Sequence, residues 1–409
     1  MSARIIIENV DLLLWFIIAA NVFYVLFFAL ASLLPRKKHQ PSHNIPQPSF
    51  LILFPAYKED SVILNSVKTF LQQDYPKELY QVVIISDRMT DETNKQLASL
   101  PITLLQPTFE QSSKAKALQY ANSYIIHQPS AIYNYNYNYV VVLDADNIVA
   151  PDFLSQLSRV ANPNIAIQCH RTAKNNNNDI AALDGLSEEI NNSIFRKGHN
   201  RIGISSALIG SGMCFNFDWF KENVTRLDSA VEDRELEALL MKQGIYIHYA
   251  EDIHVLDEKV SNSNNFQQQR LRWMTGQVQA FFRMLPYIPQ AIITGNINYI
   301  DKTIQQALIP RSILLLSIPM LCIISTATSY LKSLPSYILH LPTYIIHLKW
   351  WFLFLSFGIA LFLATPKNLR NLLISRKLLT LPSLVWKMLH NIVNIDHNNK
   401  DFIHTTHNK

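Results

Sequence analysis

Residues 139–146 read Tyr139-Val140-Val141-Val142-Leu143-Asp144-Ala145-Asp146, and this stretch decides the fold. Its apolar residues run without a break and stop at two carboxylates one residue apart. A short continuous apolar run of this kind fits a strand buried on both faces. The pattern repeats upstream. Phe50-Leu51-Ile52-Leu53-Phe54 ends at Pro55, and Val82-Val83-Ile84-Ile85 leads through Ser86 to Asp87. Residues 102–105 form a weaker candidate. Between these runs, residues 61–73, 91–100 and 114–126 have helical character. Strands alternating with helices predict a parallel α/β sheet. Ligands bind such sheets beyond the carboxyl ends of the strands, so Asp87 and Asp144 mark the expected site.

Outside this region the composition changes. Charged residues make up 16% of the chain and hydrophobic ones 49%. That excludes a disordered polyelectrolyte and departs from a soluble enzyme, with its roughly 25% charged residues. A net charge of +5, dispersed along the chain, gives no basis for nucleic-acid binding. Cys169, Cys214 and Cys322 lie too far apart for a disulfide framework or a paired metal site. Residues 12–34 carry no charge and are followed by Arg36-Lys37-Lys38. A cleaved leader is the competing reading, since Ala29-Leu30-Ala31 resembles a cleavage site. The run is too long for a leader's apolar core and its basic cluster follows rather than precedes it, so a retained membrane anchor is expected. The excess of basic residues on the inner side places the N-terminus outside.

Residues 312–331 form a second uncharged run and residues 350–365 a shorter third. The third must recruit residues before Lys349, which would snorkel to the interface beside Trp350 and Trp351. The expected domains are an anchor with a basic linker (1–46), a cytoplasmic catalytic domain (47–275), interfacial amphipathic helices (276–311), two transmembrane helices (312–366) and a cytoplasmic tail (367–409). The Asn-Tyr alternation at residues 133–139 reads as low-complexity loop. His397, His404 and His407 lack the tight spacing of a metal site.

Three motifs carry chemistry. Asp144 and Asp146 at a strand end can offer oxygens to one hard cation, since Mg²⁺ is held by one or two carboxylates together with substrate phosphates. Glu232-Asp233 reads either as the acidic first turn of an exposed helix or as a general base, whose pKa burial beside other carboxylates would raise. In Gln269-Arg270-Leu271-Arg272-Trp273, Gln269 and Trp273 share a helical face. The guanidinium of Arg272 suits phosphate. A basic helix lying on a membrane surface is the plainer reading of that segment.

Taken in order along one chain, these motifs resemble the membrane-bound family 2 glycosyltransferases, which include cellulose, chitin and hyaluronan synthases and ceramide glucosyltransferase-like enzymes. The resemblance covers residues 48–280 in motifs, plus the flanking apolar layout. It implies a GT-A fold: a Rossmann-like mixed α/β sheet with helices on both faces, fused to transmembrane helices. It implies that Pro55, Tyr57 and Glu59 line the nucleoside and that Asp87 meets the base. Arg88 and Met89 stand where the family has small residues. By the same resemblance Lys114 reaches the diphosphate, and Asp144 and Asp146 hold Mg²⁺ or Mn²⁺ and the nucleotide. Gly210, Ser211 and Gly212 form the acceptor loop, Glu232 and Asp233 are catalytic with Asp233 as the base, and Gln269, Arg272 and Trp273 close over donor and acceptor.

The implied activity is inverting, metal-dependent transfer from a nucleoside diphosphate sugar, a UDP-sugar by the family pattern, to a hydroxyl of a polysaccharide or lipid. The implied setting is the inner or plasma membrane, with the lipid bilayer as a partner and a second copy or an export partner to complete any polymer channel. Two alternatives stand beside it: single addition onto a lipid acceptor, and a non-catalytic membrane assembly factor. A dinucleotide-dependent dehydrogenase is excluded because Phe54-Pro55-Ala56-Tyr57 occupies the place of its glycine-rich turn.

Overall fold

Alternate residues of the central strands point into two different cores, and that period sets the architecture. The computed structural model describes residues 3–36, 47–127, 137–175, 178–229, 231–260, 263–332 and 341–375, with 377, 380, 382 and 383 beyond them. The strands are β1 (Phe50–Tyr57), β2 (Tyr80–Asp87), β3 (Thr103–Leu105), β4 (Tyr139–Val142), β5 (Ile148–Val149), β6 (Ile165–Ala173), β7 (Met213–Asn216) and β8 (Tyr246–Asp257). Phe50, Ile52 and Phe54 join Val82, Ile84, Tyr139 and Val141 in one core. Leu51 and Leu53 join Val83, Ile85, Val140 and Val142 in the other. The histidine tail, Lys37 and Lys38, and the Asn-Tyr alternation up to residue 136 lie outside the described residues.

The sheet order is β3-β2-β1-β4-β7-β6-β8-β5. The first four strands are parallel as expected. The wholly parallel sheet read from strand–helix alternation is corrected at β7. That strand runs antiparallel to both β4 and β6, so the complete sheet is mixed, in agreement with the resemblance. Strand β1 also continues through Pro55 to Tyr57, beyond the expected stop. Leu53 directs its backbone groups towards β4, shown by the bond from the Leu143 amide to the Leu53 carbonyl. Pro55 has the same orientation, and β4 pairs only as far as Leu53. Its missing N–H therefore costs no ladder bond. The extension brings Tyr57 level with Asp87.

Helices Ala3–Ala31, Arg311–Lys332 and Leu341–Ala364 pack together against helix Asp179–Asn191 and the π-helical turn Asn192–Gly198 that continues it. Two stretches, Glu8–Ala31 and Arg311–Thr328, are long and apolar enough to cross a membrane by length and composition. The third helix is longer than its uncharged run because Lys349 lies inside it. Lys349 forms an ion pair with Asp11 of the first helix. Trp350 Nε1 donates to the same carboxylate at 3.0 Å. At the other end of the first helix, Arg36 pairs with Asp252 and approaches Glu251 at 3.8 Å. Those two acids lie where β8 carries extra residues relative to β6, between the pairs Cys169↔Ala250 and His170↔His254.

Gly198 sits where the first helix meets the domain, and a Cβ there would overlap the carbonyl oxygen of Phe28. Gly→Ala in a helix ordinarily stabilises by about 1 kcal/mol. Overpacking reverses the sign here, so Gly198→Ala is expected to destabilise by about 1–3 kcal/mol. Thermal unfolding of the detergent-purified chain measures it, and an unchanged or raised midpoint would show that the first helix does not bear on this residue.

Candidate active site

The carboxyl ends of β1, β2 and β4 open into a cavity of about 820 Å³. Asp144 lies two residues beyond the end of β4, and its amide donates to Asn147 Oδ1 at 2.9 Å and to Ser211 Oγ at 3.3 Å. Lys114, the first residue of helix Lys114–His127, reaches across to it. Its Nζ lies 2.5 Å from Asp144 Oδ1, 2.6 Å from the Gly210 carbonyl oxygen and 3.3 Å from Glu232 Oε1. Burial alone would lower the lysine's pKa; Asp144, Glu232 and Asp233 outweigh it and hold the ammonium above its usual value.

Glu232 and Asp233 open helix Glu232–Lys242. Glu232 is not on an exposed acidic turn. It is 6% exposed, and burial, countered by Lys114, raises its pKa. Asp233 is half-buried and lines the cavity. A Cβ on Gly210, whose φ is +82°, would lie 3.7 Å from Asp233 Oδ2 and from Glu232 Oε1. Gly210 thus meets the acid pair closely with its backbone. Ser211 and Gly212 do not reach the cavity wall. The Ser211 hydroxyl is buried against Asn147 Oδ1, and Gly212 is wedged beside Val255 and Cys169.

Asp146 is buried behind Asp144. Its oxygens accept from Asn147 Nδ2 at 3.1 Å and from the Glu258 amide at 2.9 Å. Burial, then Asp257 and Asp144, push its carboxyl well above the ordinary range. No group of three or more His, Cys, Asp and Glu side chains arranged to hold an ion occurs among the described residues. A cation shared with phosphates needs fewer ligands than that. Asp144 and Asp146 lie one residue apart, and burial disfavours Asp146 as a bare anion, so their oxygens fit Mg²⁺ or Mn²⁺ shared with phosphates.

At the far side, Asp87 is 3% exposed and its Oδ1 is buried with no hydrogen-bond partner among the described residues. Burial raises its pKa. Tyr57, Pro55 and Glu59 line the same cavity. The residues after the two strand ends, Lys58 and Arg88, are non-glycine residues at φ +55° and +54°. Such backbone costs about 1–3 kcal/mol and concentrates at functional sites. Arg88 occupies the left-handed position that a small residue would fill freely. It is held there by bonds to the carbonyls of Phe109 at 3.0 Å and Glu110 at 3.3 Å.

Gln269, Arg272 and Trp273 lie on helix Ser263–Met284 and reach the cavity from above the acid pair. Burial lowers the pKa of Arg272, opposed by Glu232, Asp144 and Asp233. Gln269 Oε1 is buried without a partner among the described residues. The structure therefore gathers all the expected residues except Ser211 and Gly212 around one cavity.

Sequence reasoning missed a buried network behind it. Arg171, in β6, lies 3.2 Å from Glu188, 3.9 Å from Asp257 and 4.0 Å from Asp144. Lys259 Nζ lies 2.8 Å from Asp257. Asp257 ends β8 as Asp87 ends β2, so the strand-end signal that marked Asp87 and Asp144 was present there too. Arg171 and Glu188 carried no local signal.

Family models described as glycosyl transferase family group 2 and glycosyl transferase family 2 match residues 139–365 and 51–223 respectively. Among solved structures, the chain is similar to the mannosyltransferase PcManGT from Pyrobaculum calidifontis in complex with GDP-Man and Mn²⁺. The identity is 16% and the TM-score 0.53, covering 94% of this chain and 98% of that one. At this identity the likeness is one of fold. Glucosyl-3-phosphoglycerate synthase from Mycobacterium tuberculosis, in complex with Mn²⁺, UDP and phosphoglyceric acid, gives 13% identity and a TM-score of 0.40 over 59% of this chain and 84% of that one. TarS from S. aureus gives 15% and 0.37 over 58% and 40%. A sequence comparison with curated proteins gives no match.

Glu59 makes the site's electrostatics measurable. Burial first, then Asp144, Glu258 and Asp60, push its pKa from 4.5 up to about 8. The folded chain keeps a proton that the unfolded chain releases, so this glutamate's contribution to stability falls as pH rises from 4.5 to about 8 and is level above that. The melting-temperature difference between Glu59→Gln and wild type is expected to move in the variant's favour across that window. A difference independent of pH would remove Glu59 from this role.

Proposed function

The chain belongs to glycosyl transferase family group 2, and from that premise we propose that it is an inverting transferase acting at a membrane face. It takes a sugar from a nucleoside diphosphate sugar and places it on an acceptor hydroxyl. One observation carries this reading. A single cavity is walled on one side by Asp87, Asp144, Lys114, Asp233 and Arg272, and on the other by apolar residues of the long helices.

The nucleoside lies across the ends of β1 and β2. The unsatisfied, buried Asp87 Oδ1 accepts a base N–H, for which the uracil imide is a matching donor. Tyr57 offers a ring face beside it. Lys114 and Arg272 meet the diphosphate, and Asp144 and Asp146 would hold Mg²⁺ or Mn²⁺. When bound, that ion supplies Lewis-acid stabilisation of the departing diphosphate. Asp233 Oδ2 takes the proton of the acceptor hydroxyl. The acceptor oxygen forms a bond to the anomeric carbon as the bond to the diphosphate oxygen breaks, and the nucleoside diphosphate departs with the electron pair. One in-line displacement inverts the anomeric centre. Gln269 and Trp273 position the acceptor over the acid pair.

The apolar wall favours a lipid acceptor over a soluble one. Large side chains exposed on the long helices, among them Leu13, Phe16, Phe27, Ile323, Phe352 and Leu355, support residence in the bilayer. Arg36, at the foot of the first helix and facing the catalytic domain, supports a cytoplasmic domain with the N-terminus outside.

Asp233→Asn keeps shape and removes the base. Nucleoside diphosphate release by the purified chain, given donor, acceptor lipid extract and Mn²⁺, is expected to fall about 10²–10⁴-fold, with donor binding unchanged. Turnover at the wild-type rate would take the base assignment away from Asp233.

A further inference from the structure

Where the polar half of the cavity meets its apolar half stands Arg311, the first residue of helix Arg311–Lys332. It is fastened by neutral groups only. Its Nη2 donates to the Ser187 carbonyl at 3.0 Å, to Ser187 Oγ at 3.3 Å and to Asn191 Oδ1 at 2.7 Å. Among the described residues it makes no ion pair, whereas its neighbours are matched, Arg270 with Asp184 and Arg196 with Glu188. Glu188 acts on it electrostatically but does not pair with it directly. A guanidinium in a cavity wall with no directly paired carboxylate can take an anion, and its fork geometry suits phosphate.

Beyond Arg311 the wall turns apolar. Leu315, Phe354, Phe357 and Leu361 line it, with Gly358 between them. A Cβ placed on Gly358 meets nothing within 4 Å, so the groove is open at that point.

We propose that this half of the cavity binds an amphiphile, an apolar chain lying along Phe357 and Gly358 with a phosphate at Arg311, and that the acceptor is a lipid of this class. The inference rests on the transferase reading for the word acceptor, but the binding site stands on its own residues. Arg311 sets the depth of the lipid. The phosphate stops at the guanidinium, and the part beyond it, carrying the hydroxyl, extends into the polar half where Asp233 lies.

The full chain in nanodiscs of digalactosyldiacylglycerol, a bilayer lipid without phosphate, is titrated with radiolabelled dodecyl phosphate and, separately, dodecanol, against empty nanodiscs. Wild type is expected to hold the phosphate about tenfold more tightly than the alcohol, the scale of a charge-assisted hydrogen bond. Arg311→Gln should erase that preference and leave dodecanol binding intact, and Arg311→Lys should restore part of it. Gly358→Leu replaces a helical glycine with a better helix former while filling the groove. It should keep the fold, by thermal unfolding, and weaken both ligands.

Equal binding of phosphate and alcohol by wild type would overturn the headgroup site. Unchanged binding in Gly358→Leu would overturn the groove. Full displacement of dodecyl phosphate by phosphatidylglycerol added to the nanodisc would make the site a reader of bulk lipid and overturn the acceptor assignment. Nucleotide-sugar binding is measured on the same samples. Its loss with dodecyl phosphate binding intact would sink the transferase reading and leave the lipid site standing.

Discussion

One ammonium group holds the two halves of this protein in register. Lys114 starts a helix of the parallel half, yet its Nζ is shared among Asp144 at the end of β4, the Gly210 carbonyl and Glu232 at the head of a helix from the second half. None of these groups would be buried comfortably without the others. Removing one member of a buried ion pair typically costs about 3–5 kcal/mol, because the partner is left uncompensated. The same arrangement recurs one layer deeper, where Arg171 and Lys259 neutralise Glu188 and Asp257. The site is thus a stack of alternating charges. Its outermost carboxylates, Asp144 and Asp233, are the ones left accessible to a ligand.

How far the sequence reveals this depends on burial. Strands β1, β2 and β4 are covered on both faces, so Phe50–Phe54, Val82–Ile85 and Tyr139–Val142 appear as unbroken apolar runs. Their ends, Asp87 and Asp144, are legible for the same reason. Strands β6 and β8 were not, because polar and charged residues spoil the pattern. Gln168, His170 and Arg171 interrupt β6, and β8 carries Glu251 and Asp252 at its irregularity. The acid pair Glu232-Asp233 was legible only as one of two readings. What separated them was Lys114, more than a hundred residues away in sequence and so invisible to any local pattern. Arg171 and Glu188 fall under the same limit.

The long helices changed meaning between sequence and structure in a similar way. Lys349 shortened the apparent third segment, since a charge interrupts an apolar run. In the fold it lies within a 24-residue helix, and its charge is met by Asp11. The three helices also belong to the folded body of the chain. Their inner faces pack on Leu186, Ile190 and Ile194. Leu315 and Phe357 form part of the cavity wall, so the cavity and the apolar bundle share one boundary. A sequence divided into anchor, domain and spans hides this, because the wall is assembled from all of them.

The Asp11–Lys349 pair joins residues 338 positions apart. During synthesis the first helix is therefore made, and the whole sheet domain can fold, before its carboxylate meets its counter-ion. Chains of this size fold domain by domain as they emerge, which makes this contact a late checkpoint. Only a chain made through helix Leu341–Ala364 closes the bundle, and a product truncated before Lys349 is left with an acid in an apolar helix and no Lys349 to answer it.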